Sequence, residues 1–220
     1  MPKSPLADLV DRHPWLPFVA PFALFIAITE VQRWVPGGVA WMYPLKTVLT
    51  AAVIALLARW LKAPGAAFAS AAAGVGIAVL VVWVLSDGLY PLIGTSAAFD
   101  PFQAFPRAQA YAWIGVRLAG ATVIVPIAEE FFWRGFLIRW LVNPDFRSVR
   151  LGAFTWYSFV ATSVLFAVEH DRWLAGLLAG VAYNLLYYRT RSLKACIVAH
   201  GITNLGLGIY VLASSQWRFW

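Results

Sequence analysis

The sequence predicts an all-α fold, a polytopic transmembrane helical bundle with about seven to eight spans. Three observations predict it. Mean hydropathy is +0.72. Charged residues make up only 12% of a chain that is 61% hydrophobic. Apolar runs also approach, repeatedly, the roughly 20 residues that carry a helix across the hydrocarbon core. At 220 residues the expectation is a single integral membrane domain over 1–220.

The candidate spans fall near 15–35, 41–61, 64–86, 108–142, 153–170, 172–189 and 194–214. Pro and Gly punctuate them, with VPGG at 35–38, KAPG at 62–65 and LVNP at 141–144. The N-terminal stretch lacks the small-residue cleavage site of a signal peptide, so the first span reads as uncleaved. Residues 87–107, rich in Pro, Gly and aromatics, read as a non-helical stretch at an interface or over the bundle mouth. Pro126 decides the count: seven crossings if 108–142 stays whole, eight if it divides. Many of the twelve tryptophans stand beside span ends (Trp15, Trp34, Trp41, Trp60, Trp113, Trp140, Trp173, Trp217), as interfacial anchors do.

The net charge of +7 is spread over short loops. That pattern is a topology signal rather than a phosphate-binding patch, so no nucleic-acid partner is expected. With seven crossings, one side collects Lys3, Arg12, Arg59, Lys62, Arg139, Arg147, Arg150, Arg189, Arg191 and Lys194. The other collects Arg33, Arg107, Arg172 and Arg218. The bias predicts a cytoplasmic N-terminus in an inner or cytoplasmic membrane, with lipid as the surrounding partner. The lone Cys196 sits in an apolar helix, forms no internal disulfide, and reads as packing.

Against this apolar background, AEEFFWRGFLIRW at 128–140 puts two glutamates and an arginine inside one span. An ionised residue at the centre of such a helix costs about 3 kcal/mol on insertion scales. Glu130 and Arg134 are spaced i,i+4 with the acid first, the favoured order for an ion pair. Glu129 points about 100° away and has no partner nearby in sequence. A carboxylate left that way faces a polar cavity or takes up a proton.

His170 ends one span in FAVEH, with Phe166 one turn before it. His200 begins the last span in HGITN, with Asn204 one turn after it. A carboxylate or imidazole can hold and deprotonate water, and donors such as His200 and Asn204 can stabilise an oxyanion. Peptide hydrolysis is therefore a chemically complete use of the set. No His-Glu-x-x-His or cysteine cluster is present, so no cofactor is expected, although Glu and His leave zinc open. His13, Glu30 and Glu169 read as structural or interfacial, and Gly176 and Gly180 as a close-packing pair. Arg117, deep in the fourth span, needs a partner that the sequence does not identify.

Taken together, the motifs carry a resemblance. EEFFWRG at 129–135, FAVEH at 166–170 and HGITN at 200–204 match in order the Glu-Glu-x-x-x-Arg, Phe-x-x-x-His and His-x-x-x-Asn motifs of one family. This is the family of CAAX proteases and bacteriocin-processing enzymes, the type II CAAX prenyl endopeptidase-like intramembrane proteases. The resemblance covers about residues 115–210, the expected protease-like core. It implies an all-helical glutamate-type intramembrane endopeptidase, a family for which metal dependence has also been argued. In it Glu129 and His170 would activate water, His200 and Asn204 would form the oxyanion site, and Glu130 and Arg134 would support it. The implied partner is a peptide or protein substrate, prenylated or not.

Two other classes compete: a non-catalytic immunity or scaffold protein of the same fold, and a proton-coupled transporter. The transporter is disfavoured by the absence of repeated halves. One expectation is geometric. His170 and His200 are separated by a full crossing, so they fall at opposite faces unless both lie deep or a helix is broken or tilted.

Overall fold

The computed structural model describes residues 4–94 and 98–220. Lys3, used in the charge bias, and part of the 87–107 stretch lie outside the described residues. Within them the chain is all-helical, with no strand. Helix α1 (Pro5–Arg12) starts at Ser4, whose hydroxyl accepts from the Ala7 amide. The bundle follows: α2 (Leu16–Trp34), α3 (Gly38–Leu57), α4 (Ala69–Leu85), a short α5 (Pro101–Ala104), α6 (Arg107–Trp140), α7 (Trp156–Val168), α8 (Trp173–Thr190) and α9 (Leu193–Ser214). A 3-10 turn, Trp217–Phe219, closes the described chain.

Each of the seven predicted spans is helical. Four of the helices, α2, α3, α6 and α9, are long and apolar enough to cross a membrane, and α4 and α7 are shorter apolar helices. The distribution of side chains is that of a bundle in lipid. Large apolar residues such as Val31, Leu45, Val48, Leu56, Val81, Val164 and Ile209 face outward. Glu129, Glu130, Arg134, Ser163, Asn184, His200 and Thr203 are buried. A soluble helix would reverse this arrangement. The chain is an integral membrane protein.

The tryptophans divide. Trp34 and Trp41 are 85% and 75% exposed, as belt residues are, whereas Trp113 is buried at 5%. Its indole N–H donates to the Ala40 carbonyl at 3.0 Å, tying α6 to the start of α3. Its expected role as an interfacial anchor is therefore corrected: an internal acceptor took the polar end of the ring. The 87–107 stretch is also less irregular than expected. Asp100 caps α5 by accepting from the Phe102 amide at 2.9 Å, with Pro101 in the first turn. Its earlier part is stitched to the segment after α7, through Ile93 N–H to Asp171 O and Trp173 Nε1–H to Pro91 O.

Helix α6 is continuous, so Pro126 does not divide it. The helix absorbs the proline by widening. Residues Gly120–Ile124 and Phe131–Leu137 are π-helical and flank the α-helical turn Val125–Glu130. Wider turns of this kind recur where a helix carries function. They face α9, which packs along this part of α6 and against α4. The central core joins α2, α6, α7, α8 and α9 through Phe22, Trp133, Phe166, Tyr183, Tyr187 and Ala199.

Candidate active site

The first glutamate pair is resolved by helix phase, as the sequence suggests. The Glu130 side chain is fully buried, and its Oε1 accepts from Arg134 Nη1 at 3.1 Å. The same oxygen lies 3.0 Å from His200 Nδ1 on α9. Arg134 is fixed on its other edges: Nε donates to Asn184 Oδ1 at 3.0 Å, and Nη2 to the Gly180 carbonyl at 3.2 Å. Its guanidinium also stacks over the Phe166 ring, 4.9 Å from the centroid. Asn184 passes the network on, donating to Thr162 Oγ1 at 3.0 Å and Ser163 Oγ at 3.1 Å. An intramembrane ion pair is costly unless its polar edges are met; here all three Arg134 nitrogens and Glu130 Oε1 have partners, while Glu130 Oε2 has none.

Glu129 takes the other direction. It is 4% exposed, its Oε2 has no hydrogen-bond partner, and it lines a cavity of about 130 Å³. His170, His200 and Asn204 line the same cavity, walled by Phe166, Trp83 and Tyr183. The two histidines expected at opposite faces thus meet. The reason is length. Helix α7 has 13 residues and rises only about 20 Å, whereas His200 stands seven residues into α9, about 10 Å from its start. The remaining offset is spanned by Phe166, whose ring lies 4.8 Å from that of His170 and 6.3 Å from that of His200.

Hydrogen bonding sets the tautomers. His170 Nδ1 is 2.7 Å from the Phe166 carbonyl, which can only accept. Nδ1 therefore carries the hydrogen, and Nε2 keeps its lone pair. The edge contact of Trp83, at 5.3 Å, holds the ring in place. His200 Nδ1 donates to the Glu130 carboxylate, so its Nε2 is bare in the neutral ring and becomes a donor only in the imidazolium. The Glu130 charge is the counter-ion for that form. Tyr183 stacks on His200 at 5.2 Å, and its hydroxyl donates to Thr203 at 2.8 Å.

Asn204 donates through Nδ2 to the Ala121 carbonyl in the first π segment at 2.8 Å, leaving its second amide hydrogen free. Gly201 lets the helices come together there, because a Cβ would stand 2.8 Å from the Thr122 carbonyl. The Gly176 and Gly180 pair does pack closely, against His170 Cβ and Phe166 Cβ at 3.2 and 3.3 Å from an added Cβ. Gly180 additionally gives its carbonyl to Arg134.

Sequence reasoning missed Tyr183, Asn184 and Thr203. Their signal was present as polar atoms in apolar helices, with Asn184 one turn after Gly180. Glu169, read as structural and facing away from the site, lies within the electrostatic field of Glu129. Cys196 is buried, with its thiol 3.6 Å from the Tyr183 carbonyl, and packs as expected. Among the described residues no three His, Cys, Asp or Glu side chains gather into a group able to hold a metal ion. The side chains present therefore do not fit a three-ligand centre.

No curated protein and no solved structure matches the chain. A family model does, described as Type II CAAX prenyl endopeptidase Rce1-like, over residues 111–206. That stretch contains the glutamate pair, Arg134, both cavity histidines and Asn204. Over that stretch the chain is similar to the type II CAAX prenyl endopeptidase Rce1-like family, a family of membrane proteases.

Proposed function

We propose that this chain is a glutamate-type intramembrane endopeptidase that hydrolyses a peptide bond of a membrane-associated peptide or protein. One observation carries the reading: Glu129 presents a buried, unpartnered carboxylate oxygen to the cavity that His170, His200 and Asn204 also line. A cavity of about 130 Å³ has room for water, which needs only about 10–15 Å³ of such space.

Water held between Glu129 Oε2 and His170 Nε2 gives a proton to Glu129 as its oxygen attacks the substrate carbonyl carbon. The negative charge that develops on the carbonyl oxygen is met by the free amide hydrogen of Asn204 and by Nε2–H of the His200 imidazolium. As the C–N bond breaks, Glu129 returns the proton to the leaving amine. Glu130 and Arg134 hold the His200 ring and do not touch the reacting atoms.

The substrate is prenylated or not, and the site opens towards the basic, cytoplasmic side. The whole of 1–220 is read as one domain around a protease-like core at 115–210. Its seven crossings put the N-terminus and the basic loops on the cytoplasmic side of an inner or cytoplasmic membrane.

The test is a panel of quenched peptides ending in Cys-a-a-X, with and without a prenyl group, presented to detergent-purified wild type, Glu129→Gln and His200→Ala. Cleavage by wild type alone is expected. Wild-type turnover in folded Glu129→Gln would sink the reading. An inert wild type across the panel would turn it toward an immunity or scaffold protein.

A further inference from the structure

His170 does not sit within a helix. Helix α7 ends at Val168 and α8 starts at Trp173, so the ring is carried by a four-residue turn, 169–172. On the α7 side the turn is held by its own chain. The His170 amide donates to the Ala167 carbonyl at 3.1 Å, and Nδ1 donates to the Phe166 carbonyl at 2.7 Å. A turn held from one side opens locally at little cost. The direction of Nε2 therefore depends on what holds the other side.

That side is held by the segment leaving α4. Asp87 lies two residues past the end of α4, and its carboxylate takes two guanidiniums. Oδ1 accepts from Arg172 Nε at 2.7 Å, and Oδ2 lies 2.8 Å from Arg218 Nε. Arg172 also donates through Nη2 to the Arg218 carbonyl at 3.2 Å and lies over the Phe219 ring, 4.3 Å from its centroid. The two arms are unequal. The Asp87 and Arg172 side chains are each 8% exposed, whereas Arg218 is 56% exposed. An exposed pair holds little, but breaking a buried one leaves a charge uncompensated. Among the described residues the other ion pair reaching this turn, Arg33 to Asp171 at 3.4 Å, is half exposed on its arginine side.

The same segment grips the turn at further points. Ile93 N–H donates to the Asp171 carbonyl at 2.9 Å, the Trp173 indole to the Pro91 carbonyl at 3.0 Å, and the Ala175 amide to the Tyr90 hydroxyl at 3.2 Å. Trp83, four residues before Asp87, sets its edge against the His170 ring. Helix α4 and its exit thus touch the imidazole through Trp83, and the residue two places after it through Asp87.

We infer that Asp87 is a positioning residue: by holding Arg172 it fixes the turn that aims His170 Nε2 into the Glu129 cavity. It touches no reacting atom. Its effect on rate rests on the endopeptidase reading, and its effect on the ring does not. A clasp that served the fold alone would change stability and leave the ring as it was.

The test is nitrogen NMR of isotopically labelled histidine in phosphatidylcholine nanodiscs, with His170→Gln to assign the signal. Wild type, Asp87→Asn, Asp87→Glu and Arg218→Gln are compared, each first checked for monodisperse folding. Wild-type His170 should show one neutral tautomer with its hydrogen on Nδ1. Asp87→Asn keeps the volume and removes the charge. It should turn that signal into an average of both tautomers while the His200 signal stays. On a peptide that wild type cleaves, kcat should fall about tenfold or more with KM near the wild-type value. Asp87→Glu should recover part of both effects, and Arg218→Gln should change neither. If Asp87→Asn is not monodisperse, Arg172→Lys carries the test, because it keeps the charge and loses the second bond to the Arg218 carbonyl.

An unmoved His170 signal in the folded variant overturns the inference, even where the thermal midpoint falls. So does an Arg218→Gln effect as large as that of Asp87→Asn, because the exposed arm would then hold the turn. The two readings fail separately. A moved His170 signal with wild type inert on every peptide removes the protease and leaves the positioning. Wild-type cleavage with His170 unmoved in Asp87→Asn removes the positioning and leaves the protease.

Discussion

The side-chain amide of Asn204 donates to the Ala121 carbonyl at 2.8 Å, across the gap between α9 and α6. That carbonyl is free because of Pro126. Val125 N–H bonds back five residues to Gly120 O. In the same register the next donor would be residue 126 onto Ala121, and proline has no N–H. A residue that usually breaks a helix here releases one acceptor, and Asn204 takes it.

Pro126→Ala should therefore weaken the site without weakening the fold. The restored N–H competes for Ala121 or Thr122, α6 tightens, and Asn204 loses its fixed position. A displacement near 1 Å can cost about a hundredfold in rate. A fall of kcat by roughly ten- to a hundredfold is expected, with the thermal midpoint unchanged or raised. Wild-type kcat in this variant would separate Asn204 from the proline.

The two glutamates should separate on stability as cleanly as on activity. Glu129→Gln replaces a carboxylate whose Oε2 has no partner, so cleavage should vanish while the thermal midpoint holds or rises. Glu130→Ala strips both Arg134 and His200 of their shared acceptor. Breaking a buried pair from one side typically costs about 3–5 kcal/mol. Unfolding titrations in detergent should show a loss of that order for Glu130→Ala alone. Equal losses in both variants would mean that Glu129 is structural too.

Gly201→Ala tests the approach of α9 to the π segment. The added methyl would meet the Thr122 carbonyl at 2.8 Å. Backbone cannot step aside as a side chain can, so overpacking of about 1–3 kcal/mol is expected. The shift should move Asn204 and His200 together, lowering kcat even at temperatures where the variant stays folded. A fully active Gly201→Ala would show that α9 can move away without loss.

Much of this was legible in the sequence, for identifiable reasons. Seven apolar segments gave seven helices because the length and polarity needed in lipid leave few alternatives. The pairing of Glu130 with Arg134 and the separate direction of Glu129 followed from an i,i+4 spacing and a 100° phase difference, both local. What stayed hidden was contact between helices. Nothing local says that Asn184 faces Arg134 at 3.0 Å, or that Trp113 finds the Ala40 carbonyl. Pro126 carried two opposite local meanings, a break or a widened turn, and only the packing of α9 against α6 selected the second. The meeting of His170 and His200 depended on the short rise of α7 relative to its neighbours, which hydropathy windows blur.

Asn184 gives the last prediction, because it links Arg134 to α7 while lying outside the cavity. Its carbonyl oxygen accepts from Arg134 Nε, and its amide donates to Thr162 and Ser163. Asn184→Leu keeps the volume near but removes every one of these bonds, leaving an arginine edge buried without an acceptor. A hydrogen bond to a charged group is worth about 1.5–3 kcal/mol, and detergent unfolding should register a loss of that size. Glu130 and Gly180 still hold Arg134 on its other nitrogens, so His200 should keep its counter-ion. Activity below the unfolding transition should therefore fall by less than about tenfold, far less than for a group acting on the transition state. A collapse of kcat in folded Asn184→Leu would instead mean that the arginine must be gripped on all edges for the cavity to work.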